Sequence, residues 1–119
     1  MFVHSVFSKS FTHTPKDDHP NPEFSGIKFN SIYTGPNTGS DVPLILWPHG
    51  GPHSLLPATF FREADFFNRL GFGVLFVNFR GSLGAGQDSV ESLLGFVGNN
   101  DVKDCFQALE ECLQVIELI

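Results

Sequence analysis

Four residues in the first half of the chain, His49-Gly50-Gly51-Pro52, have the types and spacing of a turn that could hold negative charge. Acyl transfer passes through a tetrahedral intermediate whose oxygen is charged. Backbone N–H groups on a glycine turn can be aimed at that charge with no side chain in the way. The run Leu44-Ile45-Leu46-Trp47 leads straight into the turn. A short continuous apolar run ended by turn residues predicts a strand buried on both faces. The plainer alternative is that the two glycines only turn the chain. A second apolar run, Val74-Leu75-Phe76-Val77-Asn78, with a helical pattern between the two, makes a βαβ unit and favours the anion-holding reading.

The other reactive side chains lead less far. His49 and His53 are four apart, the spacing of a helical metal pair, but Gly50, Gly51 and Pro52 between them forbid a helix. No carboxylate completes a ligand set nearby, so no metal site is expected. Gly81-Ser82-Leu83-Gly84 is half of a nucleophile elbow, with Arg80 where Gly-x-Ser-x-Gly has its first glycine. Ser82 is therefore not expected to be a nucleophile, and neither histidine has one to serve as general base. Gly81, Gly84 and Gly86 match neither a dinucleotide fingerprint nor a phosphate loop, so no cofactor is expected. Arg80, just after a strand end, reads as a loop-structuring residue, with a carboxylate pair as the alternative.

The elements that must position these residues follow from the pattern around them. Within 119 residues there is room for one small domain. Residues 1–23 mix polar residues and prolines without a period and read as an irregular or disordered lead-in; residues 24–119 read as the folded portion. Ile27, Phe29 and Ser31 alternate with Lys28, Asn30 and Ile32, predicting a strand with one solvated face. Residues 35–41 read as a loop, and 43–47 as the buried strand. A helix is predicted from a Thr59 cap, with Phe60, Ala64 and Phe67 on its apolar face and Gly71 at its end. A strand over 73–78 comes next, then a glycine-rich stretch over 82–99 with a short helix near 89–94. The last helix is expected to start at an Asn100 cap, with Asp101 and Asp104 in its first turn. Val102, Phe106, Leu109, Leu113 and Ile116 would form its apolar face, flanked by Cys105 and Cys112. The fold class is α/β, an incomplete doubly wound, mainly parallel sheet.

A formal net charge of −6 argues against nucleic acid or an anionic membrane as partner, since both are bound through lysine and arginine. Cys105 and Cys112 lie two helical turns apart, too far for a disulfide, and read as core residues of a cytoplasmic protein. No apolar stretch is long enough to span a bilayer, and the first residues lack the pattern of a secretion signal.

A family resemblance covers residues 24–114. Pro48-His49-Gly50-Gly51-Pro52-His53-Ser54, Gly71-Phe72-Gly73-Val74-Leu75, the run Asn78-Phe79-Arg80-Gly81-Ser82-Leu83-Gly84-Ala85-Gly86-Gln87-Asp88-Ser89, and Asp101-Val102-Lys103-Asp104 closely resemble acylaminoacyl peptidases. These are the acylpeptide hydrolases of the prolyl oligopeptidase group of serine peptidases. The resemblance implies a cytoplasmic hydrolase that removes an N-acylated residue from the front of a short peptide and assembles into oligomers in some members. It implies a β-propeller joined to an α/β hydrolase domain with a Ser-Asp-His triad. It implies the Gly51 N–H as one oxyanion donor, Gly50 shaping the turn and His49 orienting the loop. No Gly-x-Ser-x-Gly occurs in the 119 residues, so the chain reads as the front part of the hydrolase domain, truncated before the elbow. By itself it is expected to be inactive, with no catalytic triad residue. The alternatives are a non-catalytic product that binds a full-length subunit through an open strand edge, and part of another α/β hydrolase, dipeptidyl-peptidase-like or esterase-like.

Overall fold

The structure, a computed structural model, describes residues 6–36, 42–57, 59 and 61–116. Its centre is β4 (Gly73–Asn78), where each of the 6 residues is buried. Alternate side chains of a strand leave on opposite faces, so β4 feeds two cores. Leu75 and Val77 enter one with Phe29, Tyr33, Cys105, Ala108 and Cys112; Val74 and Phe76 enter the other with Leu56 and Ala64.

Three further strands complete the sheet: β1 (Val6–His13), β2 (Phe29–Pro36) and β3 (Leu44–Pro48), in the order β1-β2-β4-β3. β3 and β4 are parallel, joined through α1 (Arg62–Arg69), which confirms the βαβ unit. The other two pairings are antiparallel, so the α/β class stands while the sheet is mixed. The strand expected to be buried on both faces, β3, is only half-buried, because among the described residues it pairs on one side alone. Tyr33 lies across the pairing partners of β2 and β4 at their ends. A Cβ on Gly73 would come within 2.7 Å of the Tyr33 ring, and one on Gly35 within 2.6 Å of its hydroxyl.

Several expectations need correction. Residues 6–13 are no irregular lead-in: β1 pairs with β2 along its whole length, from Val6 opposite Pro36 to His13 opposite Phe29. Residues 14–26 are a fastened strap rather than a linker. Asp18 accepts hydrogen bonds from Ser25 Oγ and from the backbone of His19 and Gly26. The buried His19 ring sits edge-on to Phe24 and Phe96 and donates from Nε2 to the Ser92 carbonyl at 2.8 Å. Gly35 and Pro36 belong to β2 rather than to the loop. Thr59 does not cap α1, whose cap is Phe61, without a side-chain bond. Asn37 to Asp41 of the expected loop, Phe60, and residues 1–5 and 117–119 lie outside the described residues.

The longest helix, α3 (Asn100–Ile116), has the expected span but is rotated from the expected face. Asp104, Cys105, Ala108 and Cys112 are buried, while Val102, Phe106 and Leu113 are exposed. The reason is polar. Asp104 meets a buried arginine, and Gln107 donates to the Thr14 carbonyl and accepts from the Lys16 N–H, so this face must turn inward. Asn100 is the first helical residue rather than a cap; Asp101 Oδ1 takes the N–H groups of Gly98 and Val102. The shorter α2 (Gln87–Ser92) begins two residues before the helix expected near 89–94. Among the described residues no helix is long and apolar enough to cross a membrane.

Candidate functional site

The glycine turn starts where β3 ends. His49 is buried, its ring stacked on Phe79 with centroids 4.5 Å apart. A carbonyl oxygen only accepts, so the 3.1 Å contact between His49 Nδ1 and Gly50 O places a proton on Nδ1. Nε2 is then an acceptor, and it receives the Ser82 hydroxyl at 2.6 Å. Gly50 and Gly51 are exposed, and Gly51 has φ of +63°, the left-handed region that favours glycine. A Cβ on either residue would meet nothing within 4 Å, so conformation, rather than crowding, calls for glycine at 51. Among the described residues neither the Gly50 nor the Gly51 N–H has a protein acceptor.

The loop after β4 supports this turn. His53 donates from Nδ1 to the Gly81 carbonyl at 2.9 Å, and the Gly81 N–H donates to Ser89 Oγ on α2. Gly81 has φ of +109° and a Cβ there would strike the Leu93 side chain at 2.4 Å. Arg80 points away from the turn into the core. Its guanidinium, 1% exposed, grips Asp104 through Nε and Nη2, and its Nη1 donates to the Asp17 carbonyl in the strap. Burial pushes the Asp104 carboxyl up, against the hydrogen bonds and charge of Arg80. The planar fork of arginine suits this pairing on two carboxylate oxygens, and the Arg80 N–H adds a further bond to Asp104.

A cavity of about 420 Å³ opens beside the turn, lined in part by Pro48, Gly51, Phe79, Val102 and Cys105. Its walls are mostly apolar, and its size is that of a small-ligand site. Cys105 is no nucleophile within it: burial, with the negative charges of Asp104 and Asp101, pushes its thiol up to about 12. His49 and His53 hold different atoms of the two loops, and the described residues contain no cluster fit for a metal ion.

The structure thus brings His49, Gly50 and Gly51 together with Ser82, and sets Arg80 behind them as an anchor to α3 and the strap. The sequence offers a carboxylate as an alternative partner for Arg80 but does not single out Asp104, and it pairs Phe79, Ser82 and Ser89 with nothing. His49 and Ser82 are 33 positions apart and Arg80 and Asp104 are 24 apart, and no local pattern joins such pairs.

Known proteins resemble this chain over most of its length. The acylamino-acid-releasing enzyme of Homo sapiens is 42% identical over 103 residues, 84% of this chain and 14% of that enzyme. The chain therefore spans about 14% of the length of such a curated relative. Among solved structures, the acylaminoacyl peptidase of Pyrococcus horikoshii superposes with a TM-score of 0.78 at 24% identity, over 95% of this chain and 17% of that one. A puromycin-hydrolyzing peptidase of Mycobacterium tuberculosis gives a TM-score of 0.67 at 28% identity, over 89% of this chain and 16% of that one. No protein-family model matches the chain.

Proposed function

We propose, from the premise that this chain resembles a stretch of the acylaminoacyl peptidases, that it supplies half of an oxyanion hole to a serine peptidase acting on N-acylated peptides. The observation that carries the reading is the free Gly51 N–H, in a left-handed glycine turn at the end of β3, at the mouth of an apolar cavity. In the proposed reaction a serine oxygen attacks the carbonyl of the acylated residue, and the carbonyl oxygen takes up negative charge. A preorganised N–H there lowers the barrier because it need not reorient as charge develops. The cavity would receive an apolar part of the substrate. The absence of a Gly-x-Ser-x-Gly from these 119 residues supports the reading that the chain alone is inactive and acts as part of a larger hydrolase. Two buried thiols fit a reducing, cytoplasmic setting. An N-acylated peptide, not nucleic acid or membrane, is the proposed partner, with self-assembly of the complete enzyme left to measurement.

The test is to read the message past the codon for Ile119 and to assay its product on an N-acetylalanyl anilide. The expected result is an in-frame Gly-x-Ser-x-Gly and hydrolysis blocked by a serine-directed phosphonate, with no turnover by residues 1–119 alone. A stop after Ile119 and no turnover in the native protein would overturn the peptidase reading. That outcome favours the second reading, a binding product that offers to another chain the side of β3 left unpaired among the described residues, a mode that open strand edges support.

A further inference from the structure

We infer that Ser82 is a positioning residue for the glycine turn: its hydroxyl selects the His49 tautomer that holds the Gly50–Gly51 peptide plane. The inference rests on the oxyanion reading of Gly51 and names how that N–H is aimed. The Gly50 carbonyl and the Gly51 N–H belong to the same peptide unit. There is no cis peptide bond among the described residues, so these two groups point in opposite directions. Whatever fixes the carbonyl fixes the N–H.

The group that fixes it is the His49 ring, at 3.1 Å from Gly50 O through Nδ1. This bond exists only while Nδ1 carries a proton. A free neutral imidazole favours the proton on Nε2, so the Nδ1–H form needs a donor that occupies Nε2. Ser82 Oγ is that donor, at 2.6 Å and buried. Both partners of the relay are themselves held by Phe79: its ring stacks on His49, and its carbonyl takes the Ser82 N–H at 2.9 Å. Phe79 immediately follows β4, so the aim of the turn is referred back to the most buried strand in the sheet.

Without the hydroxyl, Nε2 would be an unpaired acceptor in a buried place, and the ring would move its proton there. The bare Nδ1 would then face the Gly50 oxygen, acceptor against acceptor, and the peptide plane would lose its anchor. Ser82, half of a nucleophile elbow by sequence, is on this account no nucleophile. It sets a proton position one residue removed from the reacting atoms.

The test uses the protein at its native length, with ¹⁵N-histidine and ¹³C-glycine labels, and reads the ring nitrogens of His49 and the carbonyl carbon of Gly50 by NMR. In the unaltered chain Nδ1 is expected at the protonated, pyrrole-type shift and Nε2 at the pyridine-type shift. In Ser82→Ala the two are expected to exchange character or average, and the Gly50 carbonyl carbon to move upfield as its hydrogen bond is lost. An Nε2–H or mixed ring in the unaltered chain overturns the inference. So does a Gly50 carbonyl that stays in place in Ser82→Ala while the ring changes. These readouts involve no catalysis. Failure here would leave the peptidase reading standing on its activity assay, and failure of that assay would leave the relay intact without an oxyanion to serve.

Discussion

At the scale of single residues, the turn is defined by one N–H and one backbone conformation, and a variant can strain the second while keeping the first. Gly51→Ala keeps the N–H but places a side chain in the left-handed region, at a cost of about 1–2 kcal/mol in stability. Gly51→Pro removes the N–H and also forces φ to about −65°, so it abolishes both. In the complete enzyme, the proline variant is expected to lose about 10²–10³ in kcat, the size seen for a missing oxyanion donor, with the alanine variant losing much less. Equal losses in steady-state kinetics would show that the N–H is not the part that matters. Behind the turn, Arg80 and Asp104 are each 1% exposed in their side chains. Removing one charge of such a pair strands the other, so Asp104→Ala is expected to cost about 3–5 kcal/mol in urea unfolding. Replacing both by apolar residues of like volume is expected to cost far less, because no charge is then left buried.

At the scale of elements, α3 offers the sharpest contrast between pattern and fold. Phe106 is 59% exposed and Ala108 is fully buried against the sheet. Ala108→Phe is therefore expected to destabilise by about 1–3 kcal/mol through overpacking, and Phe106→Ser to stay within about 0.5 kcal/mol. The apolar spacing of the sequence favours the opposite ranking, and thermal unfolding of the two variants decides. The strap is the element that acid should release. Hydrogen bonds from Ser25, Gly26 and His19 hold the Asp18 carboxyl below its ordinary 3.8. A depressed carboxylate stabilises fully above its unfolded value, and that contribution fades as pH falls through the lower, folded one. Amide protection at Gly26 and His19 is therefore expected to disappear below pH 3.8 before protection in β4 does, as read by hydrogen exchange.

What the sequence shows of these elements follows from how they are stabilised. β4 is legible because a strand buried on both faces needs a continuous apolar run, and Val74 to Val77 are one, flanked by Gly73 and Asn78. The βαβ unit and the glycine turn are legible for the same reason, as local patterns with local causes. β1 is not: it is an edge strand whose apolar side, Phe7, Phe11 and His13, is interrupted by an exposed Lys9, so its alternation is weak. The α3 face is misread because the residues that turn it inward, Asp104 and Gln107, are polar and owe their burial to Arg80 and the strap. The bond from Ser82 to His49 is not legible, because the two are brought together only by the pairing of β3 with β4.

At the scale of the whole molecule, the two thiols report whether the core between α3 and the sheet is closed. Burial raises Cys105 to about 12 and Cys112 to about 11, leaving almost no thiolate near pH 8. Both are expected to ignore an aromatic disulfide reagent in the folded chain and to react together once denaturant opens it. Reaction of either one without denaturant would show that α3 leaves the sheet on its own.

The longest-range fastening carries a consequence for how the chain is made. His13, seated on Ser31, also bonds Glu111, a residue 98 positions later. At roughly 5–20 residues per second of synthesis, some 5–20 seconds separate the emergence of the two partners. For that interval β1 can pair with β2, but neither it nor the strap has the helix that finally holds it. A ribosome paused before residue 111 should therefore display β1 as the strand of this sheet most open to proteases and chaperones, and its closure should wait on α3.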